Sequence, residues 1–259
     1  MVARQSSMKG GHVNPKLAMK PPKLFIAIPC YTGMQAYFTR CVMNLIQEPP
    51  ANITVRFLPG DSLVSRARNI LTADFLLTDC THLLFIDTDL IFETDHIARL
   101  LKHNLAIVGG FYPKKQEGKL EWVCNAYPGG PGVDRRGLQQ LCYIGAGFLM
   151  VRRDVFLKMI KRFGDEIEYR SDLSGRQEWD FWKVGVHQPS RRYLSEDWFF
   201  CQNALDLGYK VYGDSRVILK HVGTAIYPQT VVSLTHALGL EGRNKAHLMQ
   251  GGLDQNRDK

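Results

Sequence analysis

Residues 82–89 read HLLFIDTD, an apolar run from Leu83 to Ile86 that ends in two aspartates flanking a threonine. A short apolar run of this kind predicts a strand buried on both faces. Alternate side chains of an extended chain share a face, so Asp87 and Asp89 would point the same way from its carboxyl end. Two adjacent carboxylates are costly to keep charged without a cation. A hard divalent ion with oxygen ligands, Mn2+ or Mg2+, would remove that cost and would bridge the two phosphates of a nucleotide. The same triplet also suits an Asp-rich turn capping the next helix. Its place directly after LLFI is what favours the cation.

Working outward, strands and helices alternate. KLFIAIPCYTG (residues 23–33) predicts a strand from Leu24 to Ile28 and a turn at Pro29 and Gly33. Tyr37 to Ile46 has helical spacing, stopped by Pro49-Pro50. ITVRFLPGD predicts a second strand, and Ser62 is placed to cap a helix over SLVSRARNILTADFLL. Thr94 to Lys102 predicts another helix, and AIVGGFYPKK a fourth strand. Strands alternating with helices imply an α/β domain with a mostly parallel central sheet flanked by helices. Ligands in such sheets bind beyond the carboxyl ends of the strands. Tyr31, Asp61, Asp87, Asp89 and Lys114 all follow predicted strand ends, so five segments would converge on one crevice.

The second half is less regular. CYIGAGFLMVRRDVF predicts a strand turning into a helix through Lys161. Residues 165–194 carry Tyr169, Trp179, Phe181, Trp182 and Tyr193 without periodicity, and read as an irregular acceptor-side lid. Ser195 would cap a helix over EDWFFCQNALDL that Gly208 ends, and YKVYGDSRVILKHVG would supply a last strand pair reaching His221. Residues 1–22 read as a disordered arm, 23–228 as the main domain, and 229–259 as a partly helical tail.

Composition narrows the classes. At 259 residues and 45% hydrophobic content the chain can bury a sizeable core. No apolar run approaches the ~18 residues of a bilayer-crossing helix, which predicts no integral membrane segment. No apolar segment follows the first residues, which argues against a signal peptide. The six cysteines are scattered without a CxxC pair and read as reduced thiols of a cytoplasmic protein, a host cytoplasm if the chain is viral. The formal charge of +8 suits anionic partners without choosing among nucleotides, nucleic acid and membrane surfaces.

Further residues carry candidate chemistry. His221 follows VILKH and offers an imidazole that can complete a metal's coordination, although a lone histidine also occurs on many surfaces and in many cores. Glu196-Asp197 opens a helix, where the dipole alone favours carboxylates. A functional role would make Asp197 a general base, with Trp198 and Phe199 shaping an acceptor pocket. Arg66, Arg68 and Asn69 lie on the helix after the second strand, and arginine suits bidentate phosphate contact. Gly145-Ala146-Gly147 and Gly109-Gly110 fit close approach of a ligand or close packing within strands. GxxxxGK[ST], GxGxxG and GxSxG are all missing, which argues against P-loop, dinucleotide and serine-hydrolase sites.

The ordered set IPCYTG, GDSLVSRARN, LLFIDTD, GAGFLMVRRDVF, SEDWFFCQNALDLGY and LKHVG resembles GT-A fold glycosyltransferases, closest to their inverting family 2-like branch, over residues 23–225. The resemblance implies that Pro29, Cys30 and Tyr31 line a nucleotide pocket and that Asp61 meets base or ribose. It implies that Arg68 and Asn69 stand near the nucleotide. Asp87 would contact ribose or metal, Asp89 would bind Mn2+ or Mg2+, and His221 would be the late metal ligand. Gly145 to Gly147 would floor the donor-sugar or acceptor site, and Asp197 would be the base. The chain departs from the family pattern in its single Asp61 and in LIFETD, which adds no third acid beside the pair.

The expectation is therefore a metal-dependent transferase that moves a sugar from a nucleoside diphosphate, a UDP-sugar being favoured, to an acceptor hydroxyl with inversion. The acceptor would be a glycan, a lipid-linked sugar or a hydroxymethylated DNA base. A sugar-phosphate nucleotidyltransferase also pairs aspartates with a metal on an α/β sheet, but its glycine-rich N-terminal signature is missing. A catalytically inactive sugar- or nucleic-acid-binding module would keep the crevice without turnover. Sugar, acceptor and oligomeric state are left open by the sequence.

Overall fold

The apolar run at residues 82–86 is a strand, and the acidic triplet forms the turn just beyond it. In a computed structural model, which describes residues 21–116, 120–223 and 226–227, the elements follow in order. The first half contains β1 (Lys23–Cys30), α1 (Ala36–Gln47), β2 (Asn52–Pro59), α2 (Val64–Leu76), β3 (His82–Ile86), β4 (Leu90–Ile91), α3 (Thr94–His103) and β5 (Ile107–Phe111). The second contains β6 (Cys124–Ala126), β7 (Leu138–Ile144), β8 (Phe148–Arg152), α4 (Arg153–Ile167), β9 (Glu168–Arg170) and β10 (Gln177–Trp179). β11 (Gly185–His187), β12 (Arg192–Leu194), α5 (Glu196–Asp206), β13 (Val211–Ile218), β14 (Lys220–Val222) and β15 (Ile226–Tyr227) complete it.

Eight strands form the central sheet in the order β2-β1-β3-β8-β5-β13-β7-β6. The α/β layering matches the sequence reading, but the sheet is mixed rather than mostly parallel. β1 pairs in parallel with β2 and β3, and β5 with β13, whereas β8 runs antiparallel to both β3 and β5, and β7 to both β13 and β6. The reason lies in residues 138–152. They form two strands joined at Gly145-Ala146-Gly147, instead of the single strand expected there, and β8 inserts between β3 and β5 in the opposite sense.

Strand alternation sorts the core into two layers. Phe25 and Ala27 of β1 and Leu83 and Phe85 of β3 face one side, where Leu71 and Phe75 of α2, Phe156 of α4 and Phe200 of α5 cover them. Leu24, Ile26, Leu84 and Ile86 face the other, against Leu45 of α1 and Leu100 of α3. Gly109 and Gly110 serve packing: a Cβ on Gly109 would come within 2.8 Å of Ile144 and one on Gly110 within 2.7 Å of Leu219. Asp214 of β13 is fully buried, paired with Arg99 at 2.6 Å and His103 at 2.7 Å, and so ties α3 to the sheet.

Residues 165–194, expected as an irregular lid, instead end α4 and then form two small hairpins, β9–β10 and β11–β12. Phe181 and Trp182 between them belong to the core. The Trp182 ring stacks on Phe200 at 4.2 Å and its Nε1 donates to Thr72 Oγ1. Three-residue strands are too short to display a period, which is why the segment read as a loop. The cap expectations also change. Neither Ser62 nor Ser195 caps with its side chain; Asp61 Oδ1 accepts the Leu63 N–H instead, and Ser195 hydrogen-bonds Asp197. No helix among the described residues is long and apolar enough to cross a membrane. The six cysteines are free, four of them buried. Residues 1–20 of the arm and the tail from 229 onward lie outside the described residues.

Candidate functional site at the carboxyl ends of β3 and β5

The site grows from the tip of β3. Asp87 N donates to Gly147 O at 2.8 Å, which anchors the acidic turn to the β7–β8 connection. The next residues are clipped to a segment far along the chain. β4 pairs antiparallel with β14, aligning Leu90 with His221, and Val222 N donates to Asp89 O at 2.7 Å. This small ladder brings His221 Nε2 to 3.3 Å from Asp89 Oδ2.

The imidazole's tautomer follows from its other partner. His221 Nδ1 lies 2.7 Å from Pro113 O, which can only accept, so Nδ1 carries the proton. A neutral His221 then presents the Nε2 lone pair to a carboxylate. That contact is repulsive unless the ring is doubly protonated or a cation lies between them. Lys115 Nζ also pairs with Asp89. Burial works against the Asp89 charge, but Lys115 and a doubly protonated His221 outweigh it and hold the carboxyl at about 2, and a cation between the two would take over the ring's part. Its Oδ1 is buried and has no hydrogen-bond partner.

Asp87 is held differently. Arg68, on the first turns of α2, puts Nη2 3.0 Å from both Asp87 carboxylate oxygens, and its Nε lies 3.6 Å from Glu196. Only 3% of Arg68 is exposed; its guanidinium packs on Phe85 with 5.1 Å to the ring centroid. Burial opposes its charge, and Asp87 and Glu196 more than restore it. Its Nε and Nη1 hydrogens are buried without a hydrogen-bond partner among the described residues.

Asp197 stands one residue into α5. Its Oδ1 accepts from Ser195 Oγ and from Trp198 N, leaving Oδ2 without a hydrogen bond among the described residues. Burial pushes the Asp197 carboxyl up, and burial with the nearby Asp197 charge does the same for Glu196. Trp198 stacks on Tyr143 at 5.1 Å, and Phe199, mostly buried, lines a cavity with Lys183 and His187.

Sequence reading missed Tyr112, at the tip of β5. Its hydroxyl accepts the Gly147 N–H at 2.9 Å and its ring meets His221 edge-on at 5.3 Å. Gly145-Ala146-Gly147 therefore wraps a protein hydroxyl. A Cβ on Gly147 would lie 2.7 Å from Tyr112 Oη and 2.9 Å from Asp87 Oδ2, and one on Gly145 would overlap the hydroxyl. The only signal in the sequence was an aromatic after GGF at a strand end. Lys115 was also missed. Its neighbour Lys114 pairs with Glu121 at 2.9 Å instead of entering the site.

Other expected contributors already bond protein partners or stand at the sheet edge. Arg66 donates to both oxygens of Asp61 at 2.8 and 2.9 Å, and this pair holds the Asp61 carboxyl below its usual range. Asn69 donates Nδ2 to Asp180 at 2.7 Å and accepts the Trp182 N–H at 3.0 Å, so its amide pins the first layer of the core. Pro29, next to last in β1, pairs with Leu58, and Tyr31 just beyond the strand is 62% exposed. Both stand at the carboxyl edge of the sheet, open to a ligand.

Asp87, Asp89 and His221 are not gathered into a ready three-ligand metal cluster among the described residues. The arrangement nevertheless suits a divalent cation beside Asp89. Four carboxylates (Asp87, Asp89, Glu196, Asp197) are set against two permanent cations, Arg68 and Lys115, a surplus of two negative charges. Asp89 Oδ1 and the His221 Nε2 lone pair are the open ligands.

No protein-family model matches the chain, and no curated protein matches it. Solved structures do. A197 from the virus STIV superposes with a TM-score of 0.49 at 16% identity, over 78% of this chain and 86% of that one. GalNAc-T7, crystallised with UDP, GalNAc and Mn2+, superposes with a TM-score of 0.50 at 10% identity, over 78% of this chain. The match spans 44% of the GalNAc-T7 chain, less than half its length. Likeness at such identity speaks to the fold, and the fold is that of the GT-A glycosyltransferases: an α/β domain around a mixed central sheet.

Proposed function

We propose that the protein is a metal-dependent glycosyltransferase that moves a sugar from a nucleoside diphosphate to an acceptor hydroxyl with inversion. The observation that carries this reading is the Asp89–His221 pair, with its open Oδ1 and its inward lone pair, in a site two positive charges short of neutrality. Asp89 and His221 would hold Mn2+ or Mg2+, which would supply charge stabilisation to the departing diphosphate. The Mn2+ and UDP of the GalNAc-T7 crystal are consistent with such a donor.

The chain's own residues do the remainder. Arg68 donates to both carboxylate oxygens of Asp87 and so orients it at the tip of β3, where it would meet ribose or metal. Tyr31 stands where a base would stack, at the end of β1. Asp197 Oδ2 accepts the proton of the attacking hydroxyl, and burial makes this carboxylate a stronger base than an exposed aspartate. The transition state resembles an oxocarbenium ion, attacked from the face opposite the leaving group. Trp198 forms one wall on the acceptor side, where a glycan, a lipid-linked sugar or a hydroxymethylated DNA base would approach. Measuring release of UDP, GDP and dTDP from their sugar conjugates, with Mn2+ and with chelator, tests the proposal. Release that needs the metal for at least one donor is the expected result. No metal-dependent release from any donor overturns it.

A further inference from the structure

Tyr112 holds a hydrogen-bond donor that the described protein does not use. Its phenol lies 6% exposed inside the Gly145–Gly147 turn and accepts the Gly147 N–H, which settles one lone pair and fixes the ring. The hydroxyl proton has no acceptor among the described residues. Such a buried, unspent donor is uncommon, because desolvating it without a partner costs free energy. The surroundings say where a partner would sit. Gly147 is shared between the phenol and Asp87, whose Oδ2 lies as close to its missing Cβ as the hydroxyl does. Burial pushes the phenol's pKa up, and the charges of Asp87 and Asp197 both push it further, so both carboxylates are near it. His221 backs the other edge of the ring.

We infer that Tyr112 is a specificity-determining residue: its hydroxyl donates to one oxygen of the transferred sugar, held between the Gly145–Gly147 turn and Asp197. The role rests on the glycosyl-transfer reading above. It identifies the favoured donor as a sugar with a hydroxyl or carbonyl oxygen at the position facing the turn, because a donor lacking that oxygen leaves the phenol unpaired. The two glycines are part of the same device, since any side chain there would displace the hydroxyl.

The test is a substrate-by-variant comparison. UDP release with Mn2+ is measured for UDP-glucose, UDP-galactose and UDP-N-acetylglucosamine, and then for the 2-, 3-, 4- and 6-deoxy analogues of the fastest. Wild type is expected to reject one analogue by about 10-fold or more in kcat/KM, the loss of one good hydrogen bond. Tyr112→Phe should process that analogue and its parent at nearly equal rates, with UDP–Mn2+ affinity by calorimetry unchanged from wild type. Equal slowing of every donor by Tyr112→Phe, or discrimination that survives it, overturns the inference while leaving glycosyl transfer standing. If Tyr112→Phe loses UDP–Mn2+ binding, the phenol is a structural support and the inference also fails. If the three UDP-sugars are inert, the deoxy series is built on whichever GDP- or dTDP-sugar turns over, and wild-type protein inert toward every one of these donors sinks both readings together.

Discussion

Replacing Asn69 with alanine separates two roles that its place beside Arg68 allows. The structure uses the amide fully, with Nδ2 donating to Asp180 and Oδ1 accepting the Trp182 N–H, at a position only 4% exposed. Alanine removes both bonds, each contributing roughly 1 kcal/mol net, and strands the Trp182 N–H in the core at about 1–3 kcal/mol. The sum is a loss of about 3–5 kcal/mol. For a domain of this size each kcal/mol lowers Tm by about 2–4 °C, so a fall on the order of 6–20 °C is expected. Thermal unfolding followed by circular dichroism reads it, with UDP–Mn2+ affinity measured well below the transition. Affinity should stay within about 3-fold of wild type, because Arg68 and Asp87 reach each other without Asn69. A variant that melts within about 2 °C of wild type but binds UDP much more weakly would refute the reasoning and return Asn69 to the nucleotide.

Three other outcomes are expected. Asp89→Ala should lower Mn2+-dependent UDP release by about 100-fold or more and weaken Mn2+ binding seen by electron spin resonance; undiminished binding would move the metal away from this carboxylate. Asp197→Asn should keep UDP affinity while cutting transfer by roughly 10²–10⁴-fold. Because burial raises this carboxyl, the base is lost as pH falls through a value above the usual aspartate range, so the wild-type acid limb should lie there and vanish in the variant; an identical limb in Asp197→Asn argues for another base. Asp214→Asn should destabilise the fold by about 2–4 kcal/mol in urea titration, since it removes the buried charge that half-buried Arg99 and His103 both meet, and a change under about 1 kcal/mol would show that the ion pair matters little.

Much of the site could be read in the sequence because its chemistry clusters at strand ends. HLLFIDTD marked the tip of β3, and LKHVG marked a histidine that meets it through the β4–β14 ladder, a pairing no local pattern announces. The direction of β8 was hidden, since alternation says which residues face a core and nothing about which way a strand runs. Arg66, Asp61 and Asn69 have the side chains expected of ligand contacts, and each also bonds a protein partner. Only tertiary structure distinguishes a donor used internally from one left open, as the pair Arg66 and Arg68 shows. Tyr112 escaped notice because its value comes from two glycines more than thirty positions away.

The placement of β8 also limits how the cleft can breathe. Within the eight-stranded sheet, every ladder bond joining the β2-β1-β3 half to the β5-β13-β7-β6 half passes through Phe148–Arg152. Asp87 belongs to one half and Tyr112 to the other, so a scissor-like opening between them would have to strip that strand from β3 or from β5 along a whole ladder. Amide exchange along β8 should accordingly be among the slowest in the molecule, reached through global unfolding. Admission of substrate then falls to the connecting segments at the rim, and the two aspartates stay in register with the phenol through every turnover.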